Sequence, residues 1–216
     1  MMKLYYENKM GKLYLGDIKD FKSDKLKESC SLVITDPPYA KEYNYLWDII
    51  GEKSSILLKD GGSLITLLGH TQLPYAIESL NKYLRYWWIC GLKNNPYNKR
   101  IFGKKVYAHF KPALWYLKGK RGDSKYPIDF ISTKYGDWDK SKHIQAQPVV
   151  WFEHYIEKLT QENDLVIDFF AGSGSSIRAA EKLNRRWMAI EIDENNCKII
   201  KGKLTNGRDT NDRNTR

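Results

Sequence analysis

The stretch SLVITDPPYA, Ser31–Ala40, passes from three apolar residues into an acid, two prolines and a tyrosine. Prolines hold φ and carry no N–H, so the carbonyls before and between them remain as acceptors in a segment with few competing conformations. Asp36 adds a carboxylate acceptor and Tyr39 a flat aromatic face. Acceptors beside an aromatic face suit a planar group carrying an exocyclic –NH2, with the two amine hydrogens going to the carboxylate and a carbonyl and the ring stacking on Tyr39. The amine of adenine is a weak nucleophile because its lone pair is delocalised. Hydrogen bonds to both protons favour a tetrahedral nitrogen and localise that pair, and positioning in line with a sulfonium methyl then does the rest.

A second segment, DFFAGSGSS (168–176), has the form of a turn between a strand and a helix. Gly172 and Gly174 let backbone approach a ligand, and a helix start aims free N–H groups at it. The apolar run WMAIEID ends in Glu191, 17 residues after Gly174, where a carboxylate can accept from two ribose hydroxyls. The third glycine of a dinucleotide fingerprint is replaced by serine, so a smaller adenosine ligand without a pyrophosphate fits better than NAD.

These residues need elements to hold them. KLYLGD (12–17), SLVITD (31–36), SLITLLG (63–69), DLVIDFF (164–170) and WMAIEID (187–193) read as strands. Helical spacing covers 43–58, 73–84, 148–160 and 175–186, with Asp60-Gly61-Gly62 as a break after the first helix. Strands alternating with helices predict a mostly parallel α/β sheet. RYWWICGLK (85–93) and KPALWYLKG (111–119) predict an antiparallel edge hairpin, with Trp87, Trp88, Trp115 and Tyr116 in the core. Ligands then gather beyond the carboxyl ends of the strands, where Asp17, Asp36, Gly172–Gly174 and Glu191 all fall.

The 216 residues suit one domain: 1–205 as a catalytic domain, with a basic insert near 93–111 and a loop at 119–142 for nucleic-acid recognition, and 206–216 as a flexible tail. The formal net charge of +10 favours an anionic partner. Three scattered cysteines form neither a disulfide framework nor a metal pattern, and there is no signal-like or membrane-spanning run, so a cytoplasmic protein without metal or membrane is expected.

Taken together, TDPPY and FAGSG resemble the amino-group methyltransferases that use S-adenosylmethionine to modify adenine N6 or cytosine N4. The order of motifs, catalytic first and glycine-rich last with a basic segment between, resembles their permuted β group; LYLGD resembles its short Gly-Asp motif, whose acid lies near the cofactor's adenine, and GGSLITLLG resembles the strand after its catalytic helix. The resemblance spans residues 12–193. It implies a Rossmann-like class I methyltransferase fold and a catalytic segment of Asp36, Pro37, Pro38 and Tyr39. It also implies a cofactor pocket formed by Asp17, Asp36, Asp168, Phe170, Ala171, Gly172, Ser173, Gly174, Ser175 and Glu191. An acid in the first catalytic position points to adenine N6. The segment KHIQAQP (142–148) matches a family pattern loosely through His143, Gln147 and Pro148 and lacks its lysine.

Between Asn81 and Tyr126 the local charge is +11, so the rest of the chain is near neutral. Such a segment suits a phosphate-tracking surface beside the cleft. The expected nucleic-acid contacts are Lys93, Asn94, Asn95, Lys99, Arg100, Lys104, Lys105 and Lys111. DNA with an adenine-containing site is the expected partner, with a homodimer as a further candidate and a restriction–modification setting. Cytosine N4, adenine in RNA, a nucleic-acid-binding protein with a vestigial cofactor site, and a glutamine side-chain methyltransferase are the competing readings. The last group carries Asn where this chain has Asp36.

Overall fold

Strands β1 (Lys3–Glu7), β2 (Gly11–Leu15) and β3 (Cys30–Thr35) precede helix α1 (Leu46–Leu57) in a computed structural model that describes residues 2–22, 26–93, 99–122, 125–133 and 147–209. There follow β4 (Leu58–Leu67), α2 (Leu73–Leu80), β5 (Arg85–Lys93), β6 (Lys99–Ile101), β7 (Val106–Ala108), β8 (Lys111–Leu117) and β9 (Phe130–Ser132). Then come α3 (Val149–Leu159), β10 (Leu165–Asp168), α4 (Ser175–Lys182), β11 (Arg186–Glu191) and α5 (Glu194–Asp209).

Nine strands form one sheet in the order β1-β2-β11-β10-β3-β4-β8-β5-β9. The run from β2 through β4 is parallel, and β8 pairs antiparallel with both β4 and β5. β3 is buried at every position, as a central strand covered on both faces must be. Its side chains alternate between two cores. Leu32 and Ile34 pack with Trp151, Phe152, Ile177 and Ile200 from α3, α4 and α5, while Val33 faces Trp47, Ile50, Ala76 and Leu80 from α1 and α2. The result is the doubly wound, three-layer α/β architecture expected of a class I methyltransferase.

The direction of winding reverses beside β3. From β10 the chain crosses through α4 to β11 on one side; from β3 it crosses through α1 to β4 on the other. The carboxyl ends of β10 and β3 therefore diverge from each other's connections, and a crevice opens between them.

Several expectations need adjustment. The late antiparallel pair is present, but β8 lies inside the sheet, and β9, within the expected 119–142 loop, adds a further parallel strand. β9 pairs only with Gly91–Lys93, so Arg85–Ile89 stays exposed. Trp87 and Trp88, expected in the core, are 39% and 53% exposed for that reason, whereas Trp115 and Tyr116 are buried as expected. Asp60-Gly61-Gly62 does not end the helix before a separate strand. It lies within β4 as an irregular opening, with Gly61 at φ +74 and a register shift opposite Cys30–Leu32. β1 and α5 were not anticipated. α5 extends to Asp209, so the start of the expected tail is helical, and 210–216 lie outside the described residues.

The contrast between the tryptophans has a measurable consequence. Trp115→Ala removes a buried indole that also donates to Ser63 Oγ at 3.0 Å, and should cost about 3–5 kcal/mol. Trp88→Ser, on the open edge, should stay within about 0.5 kcal/mol of the parent despite losing a bond to Asp129. Urea unfolding of the two variants checks this; equal losses would contradict the edge placement of Trp88.

Candidate active site

At the carboxyl end of β3, Thr35 donates from its hydroxyl to Asp168 Oδ1 at 2.8 Å, joining the ends of β3 and β10. The Phe170 N–H donates to the same oxygen at 3.0 Å, and the Ser176 hydroxyl donates to Oδ2. Asp168 is therefore buried and held by three donors from its own chain. It shapes the crevice floor and does not offer its oxygens outward. Burial is the main cause that lifts its carboxyl to about 6; Ser176, the Phe170 N–H and Thr35 pull the other way, and the nearby Asp36 charge adds a smaller push.

The glycine turn follows. Gly172 takes φ +51, and a Cβ there would meet nothing nearer than 4.0 Å, so its need for glycine is the backbone angle and the space before it is open. Its N–H donates to Glu191 Oε2 at 2.6 Å, while Asp193 N–H donates to Oε1 at 2.9 Å. Glu191 is thus fixed at the end of β11, nearly buried, with one lone pair on each oxygen still available. Gly174 has a different task from the one expected. At φ +81 it opens α4, and a Cβ would sit 2.9 Å from Ile200 of α5. It is a packing glycine and does not line the cleft. Lys203 of α5 braces the turn by donating to the Ser173 carbonyl at 2.8 Å.

A cleft of about 770 Å³ runs across these strand ends. Asp17, Asp36, Asp168, Phe170, Ala171, Gly172, Ser173, Ser175 and Glu191 line it, together with Pro37, Pro38 and Tyr39. Every expected cofactor residue except Gly174 is there. Asp17 caps a short 3-10 turn by accepting from the Lys19 N–H at 2.9 Å, at the β2 end of the cleft. Tyr43, Tyr45, Gln147, Phe152, Ile192 and Asn196 also line it, and none of these was chosen as a site residue from sequence.

The Asp-Pro-Pro-Tyr segment is held firmly. Pro37 is buried, and the Tyr39 carbonyl accepts from Gln72 Nε2 at 2.6 Å. Among the described residues no donor reaches the Pro37 carbonyl, so that acceptor is available. The Asp36 carboxylate is occupied. Lys111 Nζ lies 2.9 and 2.8 Å from its two oxygens, Gln147 Nε2 lies 2.8 Å from Oδ2, and the Tyr39 hydroxyl donates to Oδ1.

Lys111 is the main departure among the expected nucleic-acid contacts. It opens β8 with its side chain only 9% exposed, because the ion pair with Asp36 offsets the loss of its hydration. Lys93 ends β5, and Lys99 and Arg100 lie in β6. Lys104 and Lys105 form the exposed turn before β7. Asn94 and Asn95 lie outside the described residues, as does His143. Lys104 also lines a second cavity of about 700 Å³ with Lys41, His70, Tyr75, Tyr107 and Phe110. Among the described residues no cluster of side chains suits a metal ion, and no helix is long and apolar enough to cross a membrane.

A family model described as DNA methylase, covering N6 and N4 methyltransferases, matches residues 30–202. The chain belongs to this family. It is 25% identical over 95% of its length to the type II methyltransferase M.BamHI of Bacillus amyloliquefaciens, of which it spans 59%. It is 33% identical over 96% of its length to the type II methyltransferase M2.LlaDCHI of Lactococcus lactis subsp. cremoris, of which it spans 94%. Among solved structures, the M1.HpyAVI–SAM complex superposes with a TM-score of 0.74 at 25% identity, covering 90% of this chain and 99% of that one. The family uses S-adenosylmethionine. The cleft has what such a ligand needs: a fixed carboxylate for hydroxyls at Glu191, open space at Gly172, and aromatic walls at Phe170 and Tyr39.

Asp168 yields a pH prediction. Its folded carboxyl holds a proton more tightly than the unfolded chain does, at about 6 against 3.8. The associated stability is fully present below the unfolded value and is lost as pH rises through about 6. Asp168→Asn removes this titration while keeping a donor and an acceptor in place. Urea midpoints measured from pH 4 to 7 should fall for the parent relative to the variant; a constant difference would show that Asp168 does not titrate there.

Proposed function

We propose that this chain transfers the methyl group of S-adenosylmethionine to the exocyclic N6 amine of adenine in DNA, in a restriction–modification setting. The observation that carries the reading is the meeting, in one cleft, of an acceptor pair on a rigid segment, Asp36 and the Pro37 carbonyl, with Glu191 and the open face of Gly172. Glu191, Gly172 and Phe170 would hold S-adenosylmethionine in that cleft, and the group would supply a sulfonium methyl whose S–C bond breaks, with its electron pair left on sulfur, as the amine nitrogen bonds to the methyl carbon.

The protein's part is positioning. Asp36 and the Pro37 carbonyl accept one hydrogen each from the amine and localise its lone pair outward. Tyr39 provides the stacking face, and the Pro37–Pro38 pair prevents the loop from relaxing. The carboxylate is also the nearest acceptor for the proton that the methylated nitrogen sheds. Glu191 holds ribose hydroxyls, and Asp17 and Phe170 frame the base of the cofactor. A duplex hides its adenine amine, so the base must leave the stack to enter the cleft.

Asp36 favours adenine over the competing target, cytosine N4, whose enzymes more often carry serine in that position. The same two acceptors would hold a cytosine amine, so cytosine N4 is the second reading; nucleoside mass spectrometry after incubation with unmodified DNA separates N6-methyladenine from N4-methylcytosine. RNA in place of DNA in the same assay tests the nucleic-acid class.

Asp36→Ala should lower turnover by at least about 10²–10³-fold while leaving S-adenosylmethionine affinity by calorimetry nearly unchanged. Retained turnover would refute the role given to Asp36. The basic turn and the second cavity support a path for the nucleic acid beside Tyr39. Lys104→Ala with Lys105→Ala should weaken DNA binding and reduce the slope of log affinity against log salt by about 2. An unchanged slope would move the phosphate path elsewhere.

A further inference from the structure

Four donor contacts reach the Asp36 carboxylate: two from Lys111 Nζ, one from Gln147 Nε2 and one from the Tyr39 hydroxyl. A carboxylate offers about four lone-pair sites. The group proposed to receive the target amine is therefore already full. Lys111 also lies over the Tyr39 ring, with Nζ 4.7 Å from the ring centroid, so the face offered for stacking a base carries an ammonium. One side chain thus takes both places that an entering base needs, the hydrogen-bond position on Asp36 and the aromatic face.

We propose that Lys111 is a resident stand-in for the substrate amine, a plug that the target base must displace before transfer. This rests on the functional reading above. The fold gives the plug a release path. Lys111 is the first residue of β8, directly after Phe110, whose carbonyl accepts from His70 Nε2 at 2.8 Å and which lines the second cavity. Lys111 can leave Asp36 without rupture of β8, because its bonds to that carboxylate are made at the tip of a flexible stem. On displacement the ammonium returns to water, Gln147 and the backbone of Pro37 keep the receiving site polar, and Asp36 regains acceptor capacity. Gln147 is held from the other side, since its carbonyl accepts from Ser175 Oγ at 2.7 Å, so the carboxylate stays oriented when Lys111 leaves.

The test compares Lys111→Met, which keeps the length of the stem without the charge, with Lys111→Arg, which binds a carboxylate more firmly through its two-pronged head. Steady-state methylation of unmethylated bulk duplex DNA is measured at pH 8 with saturating S-adenosylmethionine, alongside anisotropy binding of the same DNA to enzyme loaded with S-adenosylhomocysteine. A plug predicts that Lys111→Met lowers KM and the DNA dissociation constant by about tenfold with kcat not reduced, as expected from removing one charge-assisted competitor. It predicts the opposite shift for Lys111→Arg. A fall in kcat at constant KM in Lys111→Met would instead make Lys111 a positioning residue for Asp36. Weaker DNA binding in Lys111→Met would make it a phosphate contact. Either result overturns the proposal. Should Lys111→Met fail to fold by circular dichroism, Lys111→Arg decides alone: unchanged or lower KM sinks the idea. Two further outcomes separate the levels: loss of turnover in Asp36→Ala with no KM response at Lys111 rejects only the plug, whereas absence of any methylation of DNA by the parent chain rejects the functional reading itself.

Discussion

The hydrogen bond from Thr35 to Asp168 links residues 133 positions apart and closes the gap between the ends of β3 and β10. Both halves of the site hang from this junction. Asp36 is the residue after Thr35, and Phe170–Gly174 follow Asp168 within a few residues. A neutral hydroxyl–carboxylate bond contributes only about 1–3 kcal/mol, so the junction is not strong in isolation. Its force comes from burial, because any alternative arrangement would strand an acid away from water with fewer than its three donors. The site is therefore organised by a polar cluster that cannot be satisfied in another geometry.

Short segments whose chemistry is local were legible in the sequence. Asp-Pro-Pro-Tyr after an apolar strand, and Gly172 before a helix, each declare a backbone requirement through residue type alone, and both lie where they were expected. Gly174 shows the limit of that kind of reading. The same residue type at the same kind of turn serves α5 packing at Ile200, and the sequence around it does not contain Ile200. Lys111 shows the limit more sharply. A lysine in a run of basic residues reads as a surface charge, and only the register of β8, 75 positions from Asp36, turns it inward. Gln147 fits a loose pattern in the sequence, but its partner Asp36 lies 111 positions away and no local signal links the two. The exposed Trp87 and Trp88 were misread because the pairing length of β9 decides whether β5 is covered, and a three-residue strand leaves almost no periodic signal.

Charge distribution ties the basic segment to the site in two different ways. Lys104 and Lys105 are exposed, so their charge reaches into solvent and is screened by salt. Lys111 has given up most of its hydration to meet one carboxylate, so its interaction is short-ranged and insensitive to bulk ions. The sequence places both kinds in one stretch, and only depth in the fold separates their functions.

If Asp36, the Pro37 carbonyl and Tyr39 receive the target base as proposed, that depth also sets the energetics of its entry. An ammonium on a carboxylate is a charge-assisted pair worth about 1.5–3 kcal/mol, whereas a neutral amine offers about 1 kcal/mol per hydrogen bond. Exchange at Asp36 alone is therefore unfavourable. The base adds a second hydrogen bond at the Pro37 carbonyl and stacking on Tyr39 of about 1–3 kcal/mol, which together bring the exchange near balance. A balanced exchange lets small differences in how a nucleobase fits decide whether it stays. A base that stacks but presents no amine to both acceptors would leave the ammonium the better occupant, so the proposed plug would sharpen the choice of substrate without contacting it in the reacting complex.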